Sequence, residues 1–199
     1  NPYQLTEADR TVIGNTTPKF SGGFGLNATY KGFDMSMFFN FMYDFDVLNA
    51  NKIMLTTWAD NKENNFLMDI ASDKRWRNFD DMGNEIRYSP EVLAEFNKNA
   101  TMWNPTSIGR PICMSYAVED GSFLRLNSAT LGYTLPRVWT KKVGLSKVRF
   151  YVSGNNLFTL TGYSGYDPEV NIATGLTPNI DYDRYPRSRT YTFGAQLTF

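Results

Sequence analysis

Asp80 and Asp81 are adjacent, and Asp34 and Asp44 flank one apolar stretch. Glycoside hydrolysis needs two carboxyl groups held across the scissile bond at a set separation. Neither pair imposes such a geometry, so a solvated loop or lumen is the plainer reading. The chain has no histidine and a single cysteine, Cys113. That removes the usual bases for nucleophilic catalysis, the usual zinc ligands and any internal disulfide. A lone cysteine is more often a small packed residue than a reactive one. Asp181 and Asp183 could hold a calcium ion, but the oxygen-rich spacing of a calcium loop is missing. No catalytic residue, metal or cofactor is therefore expected.

The aromatic residues carry more: the chain has 15 Phe, 12 Tyr and 4 Trp. Trp58, Trp76 and Trp103 share one long connection, with Lys74, Arg75 and Arg77 around Trp76. Tyr163, Tyr166, Asp181, Tyr182 and Asp183 share another. Aromatic faces stack on ligands and supply rigid contact area. Trp58, Arg75, Trp76, Trp103, Tyr163, Tyr166, Asp181 and Tyr182 are thus the candidate contacts to a substrate or a covering protein. Loop packing and protein–protein contact explain the same residues more simply. A formal net charge of +0 gives no basic face for nucleic acid.

The elements that would position these loops are long alternating segments. From Phe20 to Tyr30, Phe20, Gly22, Phe24, Leu26, Ala28 and Tyr30 share one face, and small polar residues and glycines share the other. Lys31-Gly32 suits a hairpin turn. From Phe33 to Phe45, Phe33, Met35, Met37, Phe39, Phe41, Tyr43 and Phe45 lie on one face. Asp34, Ser36, Asn40 and Asp44 dominate the other, with Phe38 and Met42 as exceptions. Three further segments alternate: Ser122 to Leu135, Lys147 to Thr159 and Thr190 to Phe199. In the first, Arg125 and Asn127 break the pattern by sharing a face with Ala129 and Leu131. The others place Phe150, Tyr191, Phe193 and Leu197 on the apolar side. Soluble strands run about 5–6 residues, whereas a tilted membrane strand needs about 9–11. The apolar residues are therefore expected to face lipid, and the small polar face suits a wet lumen. An arginine at Phe41 is expected to be costly, and one at Asn40 to cost little.

Connections alternate between short and long, as they do between the periplasmic and outer sides of membrane barrels. Lys31-Gly32 and Pro136 to Ser146 are short; Asp46 to Gly121 and Leu160 to Arg189 are long. Ser89-Pro90-Glu91 reads as a helix start, giving a helix from Pro90 to Lys98 on the barrel rim. The Pro136 to Ser146 turn can hold a helical turn. No secretory leader opens the chain, and no apolar run is long enough for a spanning helix. Five strands cannot close on themselves in lipid, where unpaired backbone groups are costly. Either the strands belong to a larger barrel, whose other strands are expected to be absent from residues 1–199, or the strands do not meet lipid. The last strand is expected to pair with Lys147–Thr159 on one side and with another polypeptide segment on the other.

Four stretches resemble the SusC/RagA family of TonB-dependent outer-membrane transporters of Bacteroidetes. They are Gly14-Asn15-Thr16-Thr17-Pro18-Lys19-Phe20; Gly121 to Leu126 with Leu131 to Pro136; Val152 to Phe158 followed by Gly165-Tyr166-Asp167-Pro168-Glu169; and Tyr185 to Gly194. The resemblance implies an all-β barrel of about 22 strands with an N-terminal plug. It implies location in the outer membrane of a Gram-negative bacterium and import of oligosaccharides or oligopeptides. It further implies energy from TonB, coupled through the absent N-terminal part, and a SusD-like surface lipoprotein as a lid. Phe199 resembles the terminal aromatic read by the barrel-assembly machinery, and it also suits an aromatic girdle. Two other readings stay open. One is a soluble, secreted carbohydrate-binding β-sandwich with Met35, Met37, Phe39 and Phe41 in a closed core. The other is a small complete barrel with an overlooked strand in Asn49 to Thr57.

Overall fold

A computed structural model describes residues 10–57, 65–71, 73–107, 112–169 and 179–199. The chain divides into two compact units, Asn1–Leu48 with Val118–Phe199, and Asn49–Ala117. The first unit carries five long strands: β1 (Phe20–Tyr30), β2 (Phe33–Tyr43), β5 (Phe123–Thr134), β6 (Lys147–Thr161) and β8 (Thr190–Thr198). They form one antiparallel sheet in the order β1-β2-β5-β6-β8. Three short strands, β3 (Asp46–Asn49), β4 (Val118–Asp120) and β7 (Ile180–Asp181), form a second small sheet in the order β4-β3-β7. This is a segment of an antiparallel β-barrel wall. β6 and β8 pair from Lys147↔Thr198 to Asn155↔Thr190, as expected for the last strand.

Directly opposed residues of an antiparallel pair share a face. Phe24↔Phe39, Leu26↔Met37 and Tyr30↔Phe33 therefore extend one apolar face across β1 and β2. Phe33↔Tyr133, Met35↔Leu131, Phe39↔Leu126 and Phe41↔Leu124 carry it onto β5. Tyr133↔Phe150 and Val152↔Phe193 carry it onto β6 and β8. Phe24 and Phe39 stack at 4.9 Å and 13° on that face. Met35, Met37, Phe39 and Phe41 thus line an open face and form no closed core, and among the described residues no second sheet covers it. The Asn49 to Thr57 segment is not a strand either: it holds helix α1 (Ala50–Met54), whose first turn Asn49 caps by accepting from Lys52 N at 3.3 Å.

Two special backbone positions set the register. Lys31 and Gly32 have φ 46° and 89°. Both are left-handed, the primed turn whose twist matches the flanking strands. β2 stops at Tyr43 rather than Phe45 because Asp44 takes φ 59° and turns the chain out of the sheet. Aspartate tolerates that conformation better than most residues.

The broken pattern in β5 is a bulge. Phe38 opposes Ser128 and Phe39 opposes Leu126, leaving Asn127 unpaired. One extra residue flips every side chain beyond it. Leu124 and Leu126 thereby join the apolar face. Arg125, expected on that face by strict alternation, sits opposite Asn40 and Thr159 on the polar one. β6 answers with a matching irregularity at Asn156 and Leu157, where Asn156 has φ 52°.

The polar face has its own close packing. Asp34 on β2 reaches across Gly132 of β5 to an ion pair with Arg149 of β6. A Cβ at Gly132 would lie 2.6 Å from Asp34 Oδ1 and closer still to the guanidinium. Arg149 also lies 5.3 Å from the Tyr151 ring, which packs over Gly194. Gly132→Val is expected to displace the pair and cost ~1–3 kcal/mol by overpacking. The measurement is the temperature at which the compact, fast-migrating barrel is lost on semi-native gels. Thr130→Val, on the same face, is the control and should leave it unchanged.

The second unit is small and mostly irregular. Helix α2 (Pro90–Asn97) begins with Ser89 at its N-cap and Pro90 at its first position. The Ser89 side chain makes no capping bond; the contact to Leu93 N comes from its carbonyl, at 2.9 Å. The far end of α2 is fastened by buried Asn97, which accepts from Arg77 N at 2.6 Å and donates to Arg77 O and Leu93 O, each at 2.9 Å. Among the described residues, no helix is long and apolar enough to cross a membrane.

Candidate functional site

Around β3 and the start of β5, a small core of Phe45, Val47, Phe123 and Tyr163 forms, with Met42 packed against it. Gly121 is required there, because a Cβ would lie 2.6 Å from Phe45 and Val47. Asn15 N–H donates to Asp46 Oδ2 at 2.6 Å, and the Asn15 side chain accepts from Thr17 N at 3.0 Å. Asn179 Nδ2 donates to Thr16 O at 2.6 Å. The Gly14-Asn15 stretch thus docks onto the wall through one asparagine and one aspartate.

Beside this core lies a buried charge cluster. Arg125 is 1% exposed. Its guanidinium donates to Asp167 Oδ1 at 2.5 Å and Oδ2 at 3.2 Å, and to Asn156 Oδ1 at 2.6 Å. Arg125 Nε faces Glu169 Oε2 at 2.9 Å as an ion pair, out of line for a hydrogen bond. Its flat face lies 5.4 Å from the Phe123 ring. The left-handed Asn156 turns its amide so that Nδ2 donates to Arg187 O at 2.7 Å. Arg187 reaches Glu169 at 3.5 Å from a half-exposed position, where an ion pair contributes little. Bidentate geometry suits arginine and aspartate, and burial makes the pairing obligatory. Burial pushes the Asp167 carboxyl up, but the Arg125 hydrogen bond and the backbone N–H groups outweigh it and hold it below the usual carboxylate range. Asp167 is therefore ionised at neutral pH, with both of its oxygens bonded to Arg125. The arrangement can hold a loop.

The candidate contact residues separate accordingly. Tyr163 is buried and donates to Asp181 Oδ2 at 2.7 Å. Burial and that carboxylate push its hydroxyl pKa up, so it remains a donor. Tyr163 and Asp181 are thus occupied with each other. Among the described residues no group of three or more His, Cys, Asp or Glu converges on a cation position. Tyr166 (84% exposed), Tyr182 and Tyr185 present open rings; Tyr185 was not among the candidates. In the second unit, Trp103 is a packing residue. Its Nε1 donates to Thr56 O at 3.1 Å, and it meets Tyr116 edge-on at 5.2 Å. Arg75 is half-buried in a bridge to Met102, and Trp76 keeps an exposed face. Trp58 lies outside the described residues.

Sequence reasoning missed Arg125, Asn156, Asp167 and Glu169 as a group. The signals were the misfit itself, an arginine in an apolar register, and the place of all four residues within the motif stretches quoted above.

No family model matches the chain. It is 35% identical over 202 residues to TonB-dependent receptor P3 of Formosa agariphila, covering 98% of this chain and 18% of that protein. It is 36% identical over 88 residues to TonB-dependent receptor SusC of Bacteroides thetaiotaomicron, covering 42% of this chain and 8% of that protein. Among solved structures, the RagAB peptide importer in its open-open state superposes with a TM-score of 0.71 at 25% identity, over 98% of this chain and 19% of that one. The chain therefore spans about a fifth of the length of the relatives it matches.

Proposed function

We propose, from the premise that this chain belongs to the TonB-dependent receptors of the SusC/RagA type, that it forms the C-terminal wall of an outer-membrane nutrient importer. Residues 1–199 would supply five strands of the barrel, and the plug and earlier strands would come from the preceding part of the same protein. The apolar face of the sheet meets lipid, and the polar face lines the lumen. The imported substrate is an oligosaccharide or an oligopeptide, moved without catalysis and with energy delivered by TonB through the plug. A SusD-like lipoprotein closes the outer mouth, where Tyr166 and Tyr182 offer open aromatic faces. Phe199 serves barrel assembly.

The observation that carries this reading is the agreement of two matches, each over 98% of the chain, one in sequence and one in structure. The test uses the full-length gene in its own host. Deletion is expected to abolish growth on one substrate class, oligopeptides or oligosaccharides, and complementation to restore it. The tagged protein is expected in the outer-membrane fraction with a surface lipoprotein bound. Unchanged growth on every peptide and glycan source, or a protein soluble without detergent, would overturn the proposal.

A further inference from the structure

The connection between β5 and β6 is longer than a hairpin needs. Helix α3 (Arg137–Thr140) and a 3₁₀ turn (Lys141–Val143) fill it, and Gly144 at φ 75° ends the turn. This segment lies over the apolar face rather than under the lumen. Val148 belongs to that face, in register with Leu197, yet it is 5% exposed, while Phe150 and Val152 above it are 49% and 43% exposed. Helix α3 packs against β6, and Thr140 is buried. Both flanking strands are already paired on each side, so no additional strand can cover the turn.

The turn instead shows its apolar side chains outward. Val138, Trp139 and Val143 are 72%, 59% and 70% exposed. Arg137, Lys141, Lys142 and Lys147 stand exposed among them, and Pro136 to Lys147 contains no acidic residue. None of the four cations makes a salt bridge with a described residue. Nearby, Ser146 bonds Thr198 O and Phe199 O, which brings exposed Phe199 to the same rim. The opposite end of the strands carries Asp46, Glu119 and Asp120, with Asp44 paired to Lys19.

We propose that this turn is an anchor for anionic phospholipid headgroups in the membrane leaflet at the short-turn end of the barrel. Trp139, Val138 and Val143 enter the interface, where aromatic rings are favoured. Arg137, Lys141 and Lys142 lay their stems along the apolar layer and carry their charges to the lipid phosphates. The patch continues the apolar face of the wall, and its unpaired positive charge complements an anionic surface. The inference rests on the barrel fold alone, and substrate uptake plays no part in its readout.

The test reconstitutes the full-length receptor in nanodiscs of equal phosphatidylethanolamine and phosphatidylglycerol and counts retained lipids by native mass spectrometry. Wild type is expected to retain phosphatidylglycerol in excess. Each basic residue near an anionic surface is worth roughly fivefold in partitioning, so K141Q/K142Q should lower the excess several-fold. K141R/K142R should preserve it, and Lys74→Gln in the long loop should leave it untouched. An unchanged ratio in K141Q/K142Q, or an equal fall in Lys74→Gln, overturns the proposal. Should the double variant fail to assemble, wild type decides: its excess should shrink at high salt as charges are screened. An excess insensitive to salt, or no excess, overturns the proposal equally.

Discussion

Truncating Arg125 to alanine is expected to cost the full-length receptor ~3–5 kcal/mol, because it leaves the buried Asp167 charge without its partner and Glu169 with only the more distant Arg187. Denaturant unfolding in detergent measures this loss, with limited proteolysis showing release of the Tyr163–Glu169 segment. Replacing the cluster together, as R125M/D167L/E169M, should recover most of it, since a buried ion pair and an apolar isostere are often close in energy. A loss under ~1 kcal/mol for Arg125→Ala would show that water reaches the cluster and that the pairing is ornamental. The pH dependence has a definite sign. Asp167 is held below its unfolded value of about 3.9. Its contribution is therefore present above about pH 4 and is lost as pH falls through the lower, folded value. The loop should stay fastened across the neutral range and loosen only in acid.

The strands were legible because a period of two is written in the residues themselves, from Phe24, Leu26 and Ala28 to Tyr191, Phe193 and Ala195. Their neighbours followed from loop parity, since short turns force adjacent antiparallel pairing. The bulge was not legible. Asn127 looks like any other polar residue in an alternating strand, and only the position of β2 and β6 on either side shows that it is extra. Missing that one residue placed Arg125 on the wrong face and hid the cluster. The carboxylates were equally silent, because Asp167 lies 42 residues from Arg125 and nothing local joins them. Trp103 and Tyr163 show the same limit from the other side. An aromatic residue in a loop reads as a contact surface until the core that takes it up is visible, here Thr56 and Tyr116 for one and Phe45, Val47 and Phe123 for the other.

The lipid-facing reading of β2 makes the sharpest remaining demand. Phe39 stands near the middle of the strand, stacked on Phe24 and opposite Leu126. Phe39→Arg puts a guanidinium on that face, where an arginine near the bilayer midplane costs ~2–4 kcal/mol, falling toward zero near the interfaces. Phe41 lies closer to the strand end and should cost less. The register also changes the choice of control. Asn40 was expected to tolerate arginine as a lumen residue. It lies on the polar face, but half-buried, opposite Arg125, and its Oδ1 is buried without a hydrogen bond. A second guanidinium there would crowd the ion cluster. Ser36, exposed between Asn27 and Thr130 on the same face, is the better site. Ser36→Arg should change stability little, while Phe39→Arg should lower the yield of assembled barrel and its unfolding free energy in lipid. Equal tolerance at the two positions would mean that this face does not meet hydrocarbon.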